Sequence, residues 1–293
     1  MEDAEISVQS HATIRAMNTP VVIGTPSEWT AFAGRNVRFF ERHDALKRAM
    51  AFAFERDLPA GASEADRVVY ALGKLCVEDF EEIFILAGNG RGFGALKLLR
   101  GMFERYVTAL HISVTPADAQ DFMDYYWVQA YRLLNRIAET LGADLFESDY
   151  YRKGMEQTKA EFERVKEKFR VPCCKRCSDT RINYTWSRVD LVSMAQKLGG
   201  GAAALTAQAY YVPLQHGHSS MASIVARMRL APGGVAYKGG ISPEQSDTAL
   251  STAHLILLGT IALQVDHFGL GKSPIIDQAF ADFKEIWSSN PAA

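Results

Sequence analysis

Between Ser63 and the glycine turn at Gly88-Asn89-Gly90, apolar residues recur at Val68, Val69, Leu72, Leu75, Phe80, Ile83, Phe84 and Leu86. Steps of three and four gather such residues on one side of an α-helix and scatter them on a strand. Ser63 followed by Asp66 approximates a capping box at the start of this segment. Similar segments follow along the chain, while the alternation of a half-buried strand is almost absent. The fold class expected is therefore all-α: a multi-helix bundle with irregular loops and at most a short hairpin.

Punctuation sets the other expected elements. Ser27-Glu28-Trp29 opens a helix to about Arg56, ended by Leu58-Pro59-Ala60-Gly61. A third helix spans about Phe93 to Val114, and Thr115-Pro116 starts a fourth to Leu141, rich in aromatic residues. Residues 148–169 carry charge on nearly all sides and read as a projecting helix. Residues 172–184 read as irregular. Ser187 with Asp190 opens a short helix that Gly199-Gly200-Gly201 closes, and another runs to about Leu214. The stretch from Leu230 to Pro243 is a long loop or short hairpin, and two helices, about 243–268 and 275–287, end the chain. Residues 1–26, with Pro20 and Pro26, read as a flexible N-terminal arm before a single helical domain over 27–293.

Composition narrows the function. With 48% hydrophobic and 23% charged residues among 293, a substantial core is available. The formal charge of −2 creates no global field toward nucleic acid or an anionic membrane, so any such contact must come from a local patch. Met1 to Gln9 has three acidic residues and no apolar run, and Cys76, Cys173, Cys174 and Cys177 are too few and too clustered for a disulfide framework. Both point to the cytoplasm. Thr248 to Val265 lacks formal charge but includes Ser251, Thr252, His254, Thr260 and Gln264, which favours a core helix over a membrane span.

Four motifs carry chemistry. Gly88 to Gly94 precedes a helix, but the dinucleotide fingerprint needs a strand there, so these glycines read as a turn. Cys173-Cys174-Lys175-Arg176-Cys177 holds half a zinc site and no second pair, so no metal or cofactor is expected. On the third helix, at about 100° per residue, Arg100, Glu104 and His111 fall within about 40° of one another beside Leu96, Phe103 and Val107. The bland reading is an Arg-Glu pair that orients helices. Arg105 and His111 match the loose spacing of helical ribonucleases, yet point about 120° apart on an unbroken helix. Finally, Tyr211-Val212-Pro213-Leu214-Gln215-His216-Gly217-His218 places two histidines after a proline that disfavours helix, where they can serve as proton carriers, ligands or caps.

Taken together, these segments resemble the bacterial helical family catalogued as domain of unknown function 5677. Ala95 to Glu104 looks like its arginine-then-glutamate helix, Trp186 to Asp190 and the short helix after it continue the likeness, and Tyr211 to His218 is similar to its tyrosine-to-histidine block. Leu214-Gln215 stands where that block is expected to have a serine. The resemblance covers residues 78–225 and implies that Arg100, Glu104 and His218 meet in the fold.

The function expected is that of a cytoplasmic protein with a buried site of Arg100, Glu104 and His218 as catalytic residues and Tyr211, Trp186, His216 and His111 as substrate-binding ones. Arginine would hold phosphate, Glu104 would fix its plane and His218 would move a proton. This makes a metal-independent RNA phosphodiesterase in a defence or toxin-like role. The alternative is a non-catalytic module that binds a partner protein or small ligand, the cluster fixing helix register. The partners expected are RNA or a small anionic ligand and no membrane, with a homodimer compatible.

Overall fold

A computed structural model describes residues 24–142, 149–174, 178–237 and 240–288. Most of them are helical, and two short antiparallel hairpins are the only strands among them, so the chain is an all-α bundle. The residues of the expected N-terminal arm lie outside this set up to position 23.

The segment expected as one helix from Ser27 is two, α1 (Pro26–Arg35) and α2 (Val37–Phe54). Buried Asn36 breaks it: its side-chain amide donates to Phe32 O at 3.1 Å and to Asp247 Oδ1 at 2.9 Å, so it spends itself on tertiary bonds. Helix α3 (Glu64–Gly88) starts with both bonds of the Ser63–Asp66 capping box and stops at the glycine turn. Gly88 leaves room for Trp29, whose ring lies 2.3 Å from where a Cβ would sit. Helix α4 (Gly92–Val114) follows. A 3-10 turn at Pro116–Asp118 precedes α5 (Ala119–Leu141), so Thr115 makes no side-chain cap.

Helix α6 (Asp149–Val165) packs along α5 and leads to the first difference in class. The stretch expected as irregular forms a hairpin, β1 (Arg170–Pro172) with β2 (Thr180–Ile182), Val171 opposite Arg181. Helix α7 (Leu191–Leu198) is capped by Asp190, which accepts from Ser193 N at 3.0 Å; Ser187 instead accepts from Val189 N. Gly199, at φ 68°, permits a turn into α8 (Gly200–Thr206).

Pro213 does not break the path as its residue type implies. A π-helical segment, Ala207–Tyr211, precedes it, and Pro213 sits in the first turn of α9 (Val212–Gly217), where its missing N–H costs nothing. A short α10 (Met221–Val225) and the hairpin of β3 (Met228–Ala231) and β4 (Gly234–Tyr237) come next, then α11 (Pro243–His267) and α12 (Pro274–Trp287).

The core is the junction of α3, α4 and α11, with α2, α7, α8 and α12 packed around it. Helix α11 is buried over most of its surface, which explains its apolar composition: it is long and apolar enough to cross a membrane, yet two thirds of that window (67%) is buried in protein. Several of its polar residues are hydrogen-bonded. Gln264 donates to Val69 O at 2.9 Å, and His254, 2% exposed, accepts at Nδ1 from Trp287 Nε1 at 3.2 Å. Burial, aided by the nearby charge of His43, pushes the His254 imidazole down to about 3.

Candidate functional site

The resemblance implies one meeting point for Arg100, Glu104 and His218, and the structure brings two of them together. Arg100 Nε lies 2.8 Å from Glu104 Oε1 across one turn of α4, with side chains 29% and 41% exposed. The Nε–H is not aimed at that oxygen, so the atom is buried without a hydrogen-bond acceptor and the contact is an ion pair by proximity. The π-helical segment supplies the other neighbour: the Arg100 guanidinium carbon is 5.0 Å from the Tyr210 ring centroid. Tyr211 is exposed and packs edge-on against Tyr210 at 5.5 Å. His218 is exposed just past α9 and has no hydrogen bond or ion pair to Arg100 or Glu104 among the described residues. The expected buried triad is thus a half-exposed pair beside a tyrosine. Pro213 and Gly217 were the signals for a bend toward the pair, and both are accommodated within α9.

His216 turns inward near the start of α4. It packs on Phe93 at 4.8 Å, its Nδ1 is buried without a partner, and burial together with Arg227 and Lys97 lowers its pKa. Arg227 lies over the same Phe93 ring at 3.9 Å.

At the far end of α4 two expected residues do meet. His111 Nε2 is 2.8 Å from Asp118 Oδ2, and its ring contacts Trp186 edge-on at 5.8 Å. Trp186 also meets Phe122 at 5.4 Å and lines an open pocket of about 270 Å³ with Asp118, Asp121, Lys168, Asn183 and Arg188. The first hairpin and the loop behind it form one wall. Tyr125 Oη donates to Asn183 O at 2.9 Å, and Asn183 Nδ2 donates to Ser187 O at 3.0 Å, which fixes the loop carrying Trp186 and Arg188 on α5. Lys168 bonds Asp124 at 2.5 Å and stands 3.7 Å from Asp121. Burial alone would raise the Asp124 carboxyl, but bonds from Lys168, Gln120 and Arg164 outweigh it and hold it below its ordinary range. Arg188 is exposed and has no acceptor among the described residues.

The ribonuclease-like pair separates as its helical phase requires. Arg105 bonds Asp79 of α3, whereas His111 faces Asp118. Asp79 is a residue that reading by motif passes over. It is 7% exposed, and burial lifts its carboxyl to about 6 even though Arg105 pulls it down. The signal was available: Leu72, Cys76, Asp79 and Ile83 occupy one stripe, so an acid interrupts an apolar face and needs a partner.

A wider groove of about 690 Å³ between α1, α8, α11 and α12 is less informative. Its flanking charges, Arg35 and Asp247, bond each other at 2.9 Å. Among the described residues no group of three histidine, cysteine, aspartate or glutamate side chains is disposed to hold a metal. Cys173 and Cys174 are exposed, and Cys177 lies outside the described residues.

Fold and site define a helical-bundle protein whose ionisable residues are distributed in pairs along the central helix α4. The chain belongs to the family of unknown function catalogued as DUF5677, whose profile matches residues 66–233, wider at both ends than the 78–225 carried by the motifs. No curated protein and no solved structure matches it.

Proposed function

We propose that the chain is a non-catalytic helical module that binds a small anionic ligand in the Trp186 pocket. The observation that carries this reading is an exposed guanidinium without an acceptor, Arg188, two residues from an indole that forms the pocket wall. The two carboxylates at the rim have other neighbours, Asp118 hydrogen-bonded to His111 and Asp121 3.7 Å from Lys168, and neither is paired with Arg188, which is left to hold an incoming anion. At about 270 Å³ the pocket falls just below the roughly 300–1,000 Å³ of drug-sized small-molecule sites, which suits a small anion. Catalysis gains no comparable support. General acid–base work needs a proton carrier within reach of the group that holds phosphate, and His218 has no bond to Arg100 or Glu104.

The test is a fluorescence titration of the full chain with inorganic phosphate and nucleoside monophosphates, with Trp186→Phe identifying the responding indole. Saturable quenching that Arg188→Ala weakens at least tenfold, about 1.4 kcal/mol, is expected. No response in the wild type, or metal-free cleavage of single-stranded RNA lost in His218→Ala, would reject the reading.

A further inference from the structure

The second hairpin has a feature that neither the pocket nor the α4 pairs use. Met228 stands opposite Tyr237 and Leu230 opposite Val235. Positions two apart on a strand share a face, so all four apolar side chains lie on one side of the ribbon. They are 38%, 65%, 90% and 56% exposed in that order. Helix α10, which contacts β3, adds exposed Met221, Ile224 and Val225. Seven exposed apolar side chains in two contacting elements are more than the singly scattered hydrophobic residues of an ordinary surface. The ribbon is held to the body at its base, where Arg227 stacks on Phe93 and donates to Ser223 O.

Charge decides what covers this face. From Leu191 to Pro243 the chain has no acidic residue, while it contains Lys197, Arg227, Arg229 and Lys238. Arg229 is exposed on the opposite side of the ribbon from Leu230, and Arg91, just before α4, and Lys97 of α4 are exposed on the adjoining body. A second copy docked here would set cations against cations with no acid to answer them. Single-stranded RNA wants stacking platforms beside its cations, and six of the seven side chains are aliphatic or thioether. Aliphatic side chains on a projecting ribbon, a tyrosine at its edge and cations behind fit an anionic lipid surface: the apolar face enters the acyl boundary while the cations meet headgroups.

We propose that the α10 and β3–β4 face is a docking surface for an anionic lipid bilayer. The expectation of no membrane partner rested on the overall charge of −2 and on reading Thr248 to Val265 as a core helix, and neither bears on a local patch. The reading stands independently of the Trp186 pocket.

The full chain is sedimented with vesicles of phosphatidylcholine alone and of phosphatidylcholine with roughly 30% phosphatidylserine. Binding to the anionic vesicles that weakens with salt is expected, with little binding to phosphatidylcholine. Leu230→Asp with Val235→Asp, at two exposed sites whose effect on folding is checked by circular dichroism, should weaken it at least tenfold. Arg229→Ala, which leaves the apolar face whole, should weaken it about fivefold. No sedimentation with anionic vesicles, equal binding by the double variant, competition by single-stranded RNA, or a dimer in light scattering that the double variant dissociates would each overturn the proposal.

Discussion

His254 offers a quantitative test of how α11 is held. Its imidazole is 2% exposed, accepts from Trp287 and touches Phe39, Phe80 and Phe283, so the fold accommodates the neutral ring and rejects the imidazolium. Its pKa falls to about 3 in the fold, against roughly 6.5 in an unfolded chain. The unfolded state therefore binds the extra proton first. The contribution of His254 to stability is whole above pH 6.5 and is lost as pH falls from there toward 3. Between pH 7 and pH 4 the loss is on the order of 3 kcal/mol. Asp79 acts with the opposite sign: its folded pKa is raised to about 6, so the folded state takes up that proton first, and stability falls as pH rises through 6. The two partly cancel near pH 5 in the wild type. Comparison with His254→Gln removes the cancellation, because glutamine keeps an acceptor for Trp287, does not titrate, and leaves Asp79 and His43 in place. Urea unfolding by circular dichroism at pH 7, 5.5 and 4 should show the stability gap between the two proteins shifting toward the variant by about 3 kcal/mol. A gap that is flat with pH would refute the reasoning.

Two further outcomes follow from the pairs along α4. Arg105→Ala leaves the buried Asp79 carboxylate without its partner and should cost roughly 2 kcal/mol at pH 8, and clearly less at pH 5, where Asp79 is protonated; an equal cost at both pH values would show that the pair is not electrostatic. Arg100→Ala should cost only about 1 kcal/mol in a thermal or urea melt, since a half-exposed i,i+4 pair and one cation–π contact are each worth a fraction of that to about that much; a cost above the roughly 3 kcal/mol characteristic of buried pairs would mean that Arg100 is far more deeply engaged than its 29% exposure indicates.

Legibility in the sequence tracks the range of the forces involved. Helix α3 was readable at both ends because its start is a bond between Ser63 and Asp66, three positions apart, and its end is a glycine turn. Asn36 was not, because the acceptor that diverts it, Asp247, is more than two hundred positions away. The first hairpin was missed for a related reason: three-residue strands are too short to show alternation, and their pairing partners are separated by the cysteine segment. Pro213 misled because a proline disfavours helix through its missing N–H and its ring's clash with the carbonyl four residues back, and the π segment before it relieves that four-residue spacing.

The same distinction explains what became of the candidate site. Helical phase is local, so it correctly set Glu104 beside Arg100 and correctly turned Arg105 away from His111. Which residue of another element completes a pair is tertiary, and phase is silent on it. Asp118 meets His111 because the 3-10 turn after α4 folds back by one turn, and Asp79 meets Arg105 because α3 and α4 are antiparallel neighbours joined by a short glycine turn. Arg100, Arg105 and His111 thus each find the acid that connectivity brings nearest, while exposed Lys97 makes no ion pair among the described residues, so the central helix of this bundle carries separate pairs. Arg188 escapes that rule. Its loop is fixed by the side chains of Tyr125 and Asn183, which donate to the backbone carbonyls of Asn183 and Ser187. Its exposed guanidinium makes no ion pair among the described residues, so the proposed anion would replace only water around it.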